Sequence, residues 1–274
     1  MSDGHTDKAP CYIGTAGWSV PRADLDDGGP FCGAGSQLER YARTFNCVEI
    51  NSSFYRPHRP STYARWRCCT PPEFRFAVKL PKLITHELRL RSCAPEIARF
   101  ASEAGELREK FAVLLVQLPP SLGYSGRDAA EFFTQLREQL SSTNAPSIVC
   151  EARHASWFSA SASDLLAEHD IVRVVADPPA VPGNLPVSPR GPAYTRLHGS
   201  PRIYYSGYSA PFLDAVAASM RRTLAQARPA WCIFDNTAAG CAVPDALALR
   251  QRIQYLHSQQ CLTESRANVL QELL

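Results

Sequence analysis

Eight short apolar runs cross this chain, and each stops at a charged or hydrogen-bonding residue. In order, CYIG leads to Trp18, CVEI to Asn51, FRFAV to Lys79 and AVLLV to Gln117. SIVC then leads to Glu151, VRVVA to Asp177, AYTRL to His198 and WCIF to Asp235 and Asn236. Runs this short, rich in Val, Ile and Phe, suit strands rather than helices. Their nearly unbroken apolar character is that of parallel strands covered on both faces.

The intervening stretches carry helix signals. Ser36 stands three residues before Glu39, a capping box. Pro60 opens PSTYARWR, and Ile97, Phe100, Ala101, Leu107 and Phe111 fall along one face of residues 94–111. Phe132, Phe133, Leu136 and Leu140 do the same in 127–140, and residues 162–169, 211–227 and 243–260 continue the pattern. Residues 178–192 are the exception: six prolines preclude a helix and predict an extended crossover.

Strand–helix alternation with no linker or change of composition predicts one α/β domain. The expected fold is a single-domain TIM-like (β/α)8 barrel in which a Pro-rich loop replaces one crossover helix. An open doubly wound sheet is the rival, but no GxGxxG follows the first strand. Residues 1–10 are expected to be a disordered N-terminus, 11–260 the domain and 261–274 a C-terminal tail.

The 274 residues are 45% hydrophobic, with 29 basic and 26 acidic residues and a net charge of +3. That balance excludes a grossly basic nucleic-acid tail but not a local basic patch. MSDGHTDKAP has no apolar core and no window approaches a membrane span, so the expectation is a cytoplasmic protein without a membrane partner. The ten cysteines lack CxxC spacing. Cys47, Cys150 and Cys232 lie inside strand runs, where thiols act as small hydrophobes, so the cysteines read as reduced and structural.

In such barrels chemistry gathers where the strands end. Glu49 and Asn51 share a strand face, as do Glu151 and Arg153, and Arg196 and His198. Lys79, His86, Gln117, Asp177 and Asn236 add polar groups, and Trp18, Tyr55, Trp157 and Tyr208 add rings. Paired charges there can be structural, but charges ending at least six strands are costly to bury unpaired and point to use. The loops HGSPRIYYSGY (198–208) and DNTAAG (235–240) offer small residues ahead of a helix, where barrels often hold phosphate, with Arg196 and Arg202 adding charge. Glu49, His86, Glu151, Asp177 and His198 form a conceivable metal set. There is no HExxH or HxH, and Lys79, Arg153 and Arg196 would repel a divalent ion, so metal and cofactor stay open.

The segments IGTAGWS (13–19), FNCVEINSSFYRP (45–57), FRFAVKLPKLITH (74–86), VQLPPS (116–121), EARHASW (151–157), VADPP (175–179), YTRLHGSP (194–201) and FDNTAAGCA (234–242) together resemble the YecE-like family, domain of unknown function family 72. The resemblance spans the domain from first strand to last and implies a TIM-barrel fold, but no defined reaction or cofactor. Ala16 and Val20 depart from the family pattern in the first loop.

From the residues, the leading expectation is a hydrolase-type enzyme acting on an anionic, phosphate-bearing substrate such as a nucleotide or nucleic acid. Glu49 and Glu151 are the expected acid/base carboxylates, Asp177 orients water and His198 shuttles a proton. Lys79, Arg153 and Arg196 neutralise charge, while Trp18, Tyr55 and Trp157 stack on a base or sugar. Asn51, His86, Gln117, Tyr208 and Asn236 complete the expected substrate contacts. A carbohydrate-active enzyme and a non-catalytic nucleic-acid-binding module are the alternatives.

Overall fold

β-Branched and aromatic side chains fit a pleated surface that is covered above and below, and the apolar runs become strands for that reason. The computed structural model describes residues 9–21, 28–141, 145–183 and 190–254. Its strands are β1 (Cys11–Thr15), β2 (Cys47–Ile50), β3 (Arg75–Lys79), β4 (Phe111–Gln117), β5 (Ser147–Glu151), β6 (Val172–Arg173), β7 (Val175–Asp177), β8 (Ala193–Leu197) and β9 (Ala230–Phe234). They build an α/β fold of two parallel sheets, ordered β1-β9-β8-β7 and β2-β3-β4-β5-β6.

The sheets approach one another at two places. Ala16, just past β1, bridges Glu49 of β2, and the Gly17 amide donates to the Glu49 carbonyl at 2.8 Å. On the other side the sixth apolar run is divided rather than continuous. Val174 interrupts it by donating to Cys150 at 2.9 Å, so β6 pairs with β5 while β7 pairs with β8.

Helices fill the connections: α1 (Gln37–Thr44), α2 (Ser52–Tyr55), α3 (Pro60–Cys68), α4 (Ala94–Ala104), α5 (Gly126–Leu140), α6 (Ala160–Glu168), α7 (Ala210–Ala225) and a helical run over 242–254. The Ser36–Glu39 capping box opens α1, and Pro60 occupies the first turn of α3, as the sequence predicts. The expected helix over 94–111 ends early: α4 passes at Gly105 into a 3₁₀ segment, Gly105–Lys110, where Arg108 leaves helical geometry. No helix occurs among the described residues of 178–192. Residues 184–189, 1–8 and the expected tail 261–274 lie outside the described residues. No described helix is long and apolar enough to cross a membrane. Cys47, Cys150 and Cys232 are buried free thiols, and none of the described cysteines is disulfide-bonded.

Strand side chains alternate between two apolar layers. Val48, Ile50, Phe76, Val78, Leu114, Val116 and Phe234 meet the helices, including Tyr41, Phe100, Phe132 and Leu213. The opposite faces supply Cys47, Ala77, Val113, Leu115, Val149, Val172, Val174, Tyr194, Trp231 and Ile233. The β1–β2 approach requires a residue without a side chain. A Cβ on Gly14 would stand 2.3 Å from the Cys47 carbonyl oxygen, backbone that cannot swing away. Gly14→Ala is therefore expected to cost about 1–3 kcal/mol, read as a lowered melting temperature, and an unchanged one would refute the steric argument.

Candidate functional site

The second apolar layer continues upward with the same two-residue period, and its next storey is charged. Cys47 is followed by Glu49, Ala77 by Lys79, Leu115 by Gln117, Val149 by Glu151, Tyr194 by Arg196 and Ile233 by Asp235. One period further stand Asn51, Arg153 and His198. The strands thus deliver these side chains to one place beyond the C-terminal ends of the sheets.

Arg196 is the hub and is wholly buried. Its Nε and Nη2 donate to the two oxygens of Glu49 at 3.0 and 2.7 Å. Nη2 also donates to Asp235 Oδ2 at 2.9 Å, and Nη1 to Glu151 Oε2 at 2.6 Å. The Tyr194 hydroxyl completes Glu49 at 2.9 Å. Burial opposes the charge, but Glu49, Glu151 and Asp235 outweigh it and hold Arg196 ionised. Nη1 also lies 3.4 Å from His198 Nε2, so each guanidinium nitrogen already faces a group of the protein rather than the substrate that the sequence reading assigned to Arg196.

His198, also fully buried, lies between two carboxylates. Nδ1 is 3.0 Å from Asp235 Oδ2, and Nε2 is 3.1 Å from Glu151 Oε1 and 2.6 Å from Arg153 Nη2. A ring protonated only at Nδ1 accepts from Arg153; a ring protonated at both nitrogens donates to Glu151. Burial lowers its pKa, yet the hydrogen bonds to Asp235 and Glu151 raise it above the ordinary histidine value on balance. Glu151 also takes Gln117 at 3.3 Å and an ion pair with Arg153 at 2.5 Å. Burial pushes its carboxyl up, but Arg196, His198 and Arg153 hold it well below the usual range. Asp235 is lowered likewise, with Arg196 the leading force against burial.

Lys79 is the third cation of the storey. Its Nζ lies 4.1 Å from the centre of the Phe54 ring and burial, aided by Arg196, lowers its pKa to about 8. Phe54 is held there by α2, where Ser53 donates to the Ile50 and Lys79 carbonyls at 3.0 and 2.6 Å. Glu49, Glu151 and Asp235 balance Arg196, Arg153 and Lys79, so protonation of His198 leaves the storey positive.

The other expected residues lie around this cluster or away from it. Asn51 donates to Asp235 Oδ1 at 3.4 Å, and its own buried Oδ1 has no partner. His86 edges Phe54 at 5.0 Å between ring centres, with burial and then Lys79 and Lys82 lowering its pKa. Tyr55 is 77% exposed, and Trp18 packs edge-on against Trp66. The Asp177 carboxylate receives the Tyr208 hydroxyl at 2.9 Å and joins none of the Arg196 bonds. Asn236 faces away from the storey, donating to Ser206 O and Asp245 Oδ2 at 3.0 and 2.7 Å.

Two placements bear on expected roles. Trp157 is 1% exposed and donates to the Leu122 carbonyl, so its ring offers no face for stacking. The loop amides proposed for phosphate are largely spent inside the loops. Gly199 donates to Tyr208, Arg202 to Ser206, Ser206 to the Arg202 carbonyl and Ala238 to the Tyr204 carbonyl. Arg202 itself stacks on Tyr205, 3.9 Å from the ring centre.

No group of three or more His, Cys, Asp or Glu side chains among the described residues is arranged to hold a metal ion. The Arg196 guanidinium occupies the space between Glu49, Glu151 and Asp235 where such an ion would sit. Tyr194, Phe54 and Tyr204 are site residues that sequence reasoning missed, and Asp235, named there as a strand tip, was given no role. Tyr194 and Asp235 are in phase with named neighbours and were within its reach. Tyr204, 5.9 Å from the His198 ring, stands at a positive φ in the following loop and leaves no such signal.

Residues 12–269 match the family described as "Protein of unknown function DUF72". The chain belongs to the DUF72 family. A 113-residue stretch is 35% identical to UPF0759 protein YecE of Escherichia coli strain K12, covering 41% of this chain and 39% of that protein. The match therefore spans well under half the length of that relative. Two solved DUF72 family proteins share the fold. The one from Enterococcus faecalis V583 has a TM-score of 0.73 at 19% identity, covering 89% of this chain and 95% of its own. The one from Thermotoga maritima MSB8 has a TM-score of 0.72 at 23% identity, covering 89% and 99%. DUF72 membership agrees with the resemblance carried by the eight strand-end segments.

Proposed function

We propose that this DUF72 protein is a hydrolase-type enzyme acting on an anionic, phosphate-bearing substrate, such as a nucleotide or nucleic acid, at the strand ends. We take the two sheets as halves of one (β/α)8 ring. The Ala16–Glu49 bridge on one side and the divided sixth run on the other support that closure. The observation that carries the functional reading is the disposition of charge. The three carboxylates of the storey are committed to Arg196, while the partly exposed Arg153 and the buried Lys79 add positive charge and protonation of His198 tips the balance further. An anion entering there meets cations rather than carboxylates.

Roles follow from the bonding. Glu151, held ionised by the positive charges around it, is too weakly basic and too seldom protonated for acid/base work near neutrality, so it acts as an electrostatic anchor. Glu49 is taken up by Arg196 and Tyr194. His198, oriented by Asp235 and closed off between Glu151 and Arg153, holds positive charge behind the anion. Arg153 contacts the anion. Asp177, out of phase with the storey and bonded to Tyr208, supports the following loop rather than the attacking water. A sugar-cleaving pair is disfavoured because Arg196 fills the gap between Glu49 and Glu151 that a glycosidic bond needs. The non-catalytic nucleic-acid-binding alternative draws support from Tyr55, Tyr204 and Tyr205, exposed by 77%, 44% and 43%.

A panel of p-nitrophenyl phosphate, its bis-ester and a short single-stranded oligonucleotide tests the reading. We expect turnover by the native protein and a loss of about 100-fold in kcat/KM in Arg153→Ala. Failure of the native protein to turn over any of them, with salt-sensitive oligonucleotide binding retained, would hand the site to the binding reading.

A further inference from the structure

The chain holds 25 arginines and only four lysines, Lys8, Lys79, Lys82 and Lys110. Where a fixed cation suffices, this protein uses arginine, as the buried Arg196 and Arg173 and the half-buried Arg153 do. The described lysines differ sharply in what they hold. Lys110 donates to the Arg67 carbonyl, the Thr70 carbonyl and the Thr70 hydroxyl at 2.7, 2.6 and 3.1 Å. Lys82 pairs with Glu87 at 3.6 Å on the surface. Lys79 is 5% exposed and, among the described residues, its ammonium makes neither hydrogen bond nor ion pair. Its Nζ rests on the Phe54 face instead, 4.1 Å from the ring centre.

An amine in that setting is equipped for covalent chemistry. The arginine side chains around it cannot act as amines, and an ion-paired ammonium has its lone pair blocked by a proton. Lys79 has no carboxylate in contact to hold that proton. Burial and the Arg196 charge favour its neutral form against the attraction of Glu49, Asp235 and Glu151, and its pKa falls to about 8. Near that pH it carries roughly two orders of magnitude more neutral amine than an ordinary lysine. It shares the storey of Glu151 and Arg196, whose charges act on it, and Arg153 and His198 stand one period further along their strands.

We propose that Lys79 is a nucleophile that forms an imine with an aldehyde or ketone group on an anionic ligand. The amine nitrogen bonds to the carbonyl carbon, giving a carbinolamine. Its hydroxyl leaves as water with a proton from solvent, and the resulting iminium returns amine and carbonyl when water adds back. The anionic character of the ligand rests on the reading of the pocket given above, whereas the amine chemistry rests on Lys79 alone.

The test treats the full chain at about pH 8 with sodium cyanoborohydride and either glycolaldehyde phosphate or glycolaldehyde, then maps labelled lysines by peptide mass. Reduction fixes each imine as a secondary amine, adding the carbonyl compound less water plus two hydrogens. We expect glycolaldehyde phosphate to label Lys79 at least ~10-fold faster than Lys82 or Lys110, with inorganic phosphate slowing the reaction. Equal labelling of Lys79 by both aldehydes supports the nucleophile and overturns the anionic ligand. Labelling of Lys79 no faster than the other two lysines, with either probe, overturns the nucleophile and leaves the phosphate-ester panel to judge the pocket.

Discussion

Arg196→Met is expected to remove about 3–5 kcal/mol of folding stability, since it leaves buried carboxylates without their counter-charge. Methionine keeps much of the length and apolar stem, so the loss is not chiefly one of packing. Glu49, Glu151 and Asp235 would face one another with side-chain exposures of 0%, 1% and 8%, and no solvent could screen them. For a chain of this size the melting temperature should fall on the order of 10 °C. The deficit should narrow as pH falls, because the abandoned carboxylates then take up protons more readily than their ion-paired counterparts. Arg196→Lys should recover little, since one ammonium cannot reproduce a planar fork that meets Glu49 through two nitrogens and also reaches Asp235 and Glu151. A methionine variant melting within ~2 °C of the native protein would show that the hub is not structural.

Much of this storey was legible because a strand carries phase. Once Val149 and Leu115 are inward, Glu151 and Gln117 must be too, and the same rule yields Tyr194 below Arg196 and Asp235 above Ile233. It also separates the residues that do not belong. Val172 and Val174 point inward, so Asp177 is one residue out of phase, and its carboxylate goes to Tyr208. Asn236 is out of phase with Asp235 in the same way. Trp157 lies in a 3₁₀ turn, Ala155–Phe158, beyond the strand, where no period tells an inward ring from an outward one. The division of the sixth run was hidden because Val174 looks like any other strand valine until Cys150 takes its amide. Partner choice was hidden for a deeper reason. That Arg196 spends four donors on carboxylates depends on three strands distant in sequence, and composition alone reads such an arginine as available.

Glu151→Gln tests the other half of the network and is expected to cost about 3–5 kcal/mol, although the amide nearly matches the carboxylate in shape. Four donors converge on Glu151, from Arg196, His198, Arg153 and Gln117, and three of them carry or can carry positive charge. An amide accepts at one end only, so its NH2 faces either Arg196 or the side shared by His198, Arg153 and Gln117, and the cations there repel. The pH dependence of stability gives a sharper readout. In the native protein Glu151 and Asp235 have lowered pKa values, so their contribution is complete above the unfolded carboxylate range, about 4, and is lost as pH falls through the folded values. His198 has a raised pKa, so its contribution is complete below the unfolded value, about 6.5, and is lost as pH rises through the folded one. Native stability should therefore peak between roughly pH 5 and 6.5 and fall on both sides. Glu151→Gln removes one carboxylate from the acid limb and one of the two hydrogen bonds that raise His198, so both limbs should flatten. Urea unfolding across that range measures them, and a variant curve running parallel to the native one would mean that Glu151 and His198 are not coupled in the folded protein.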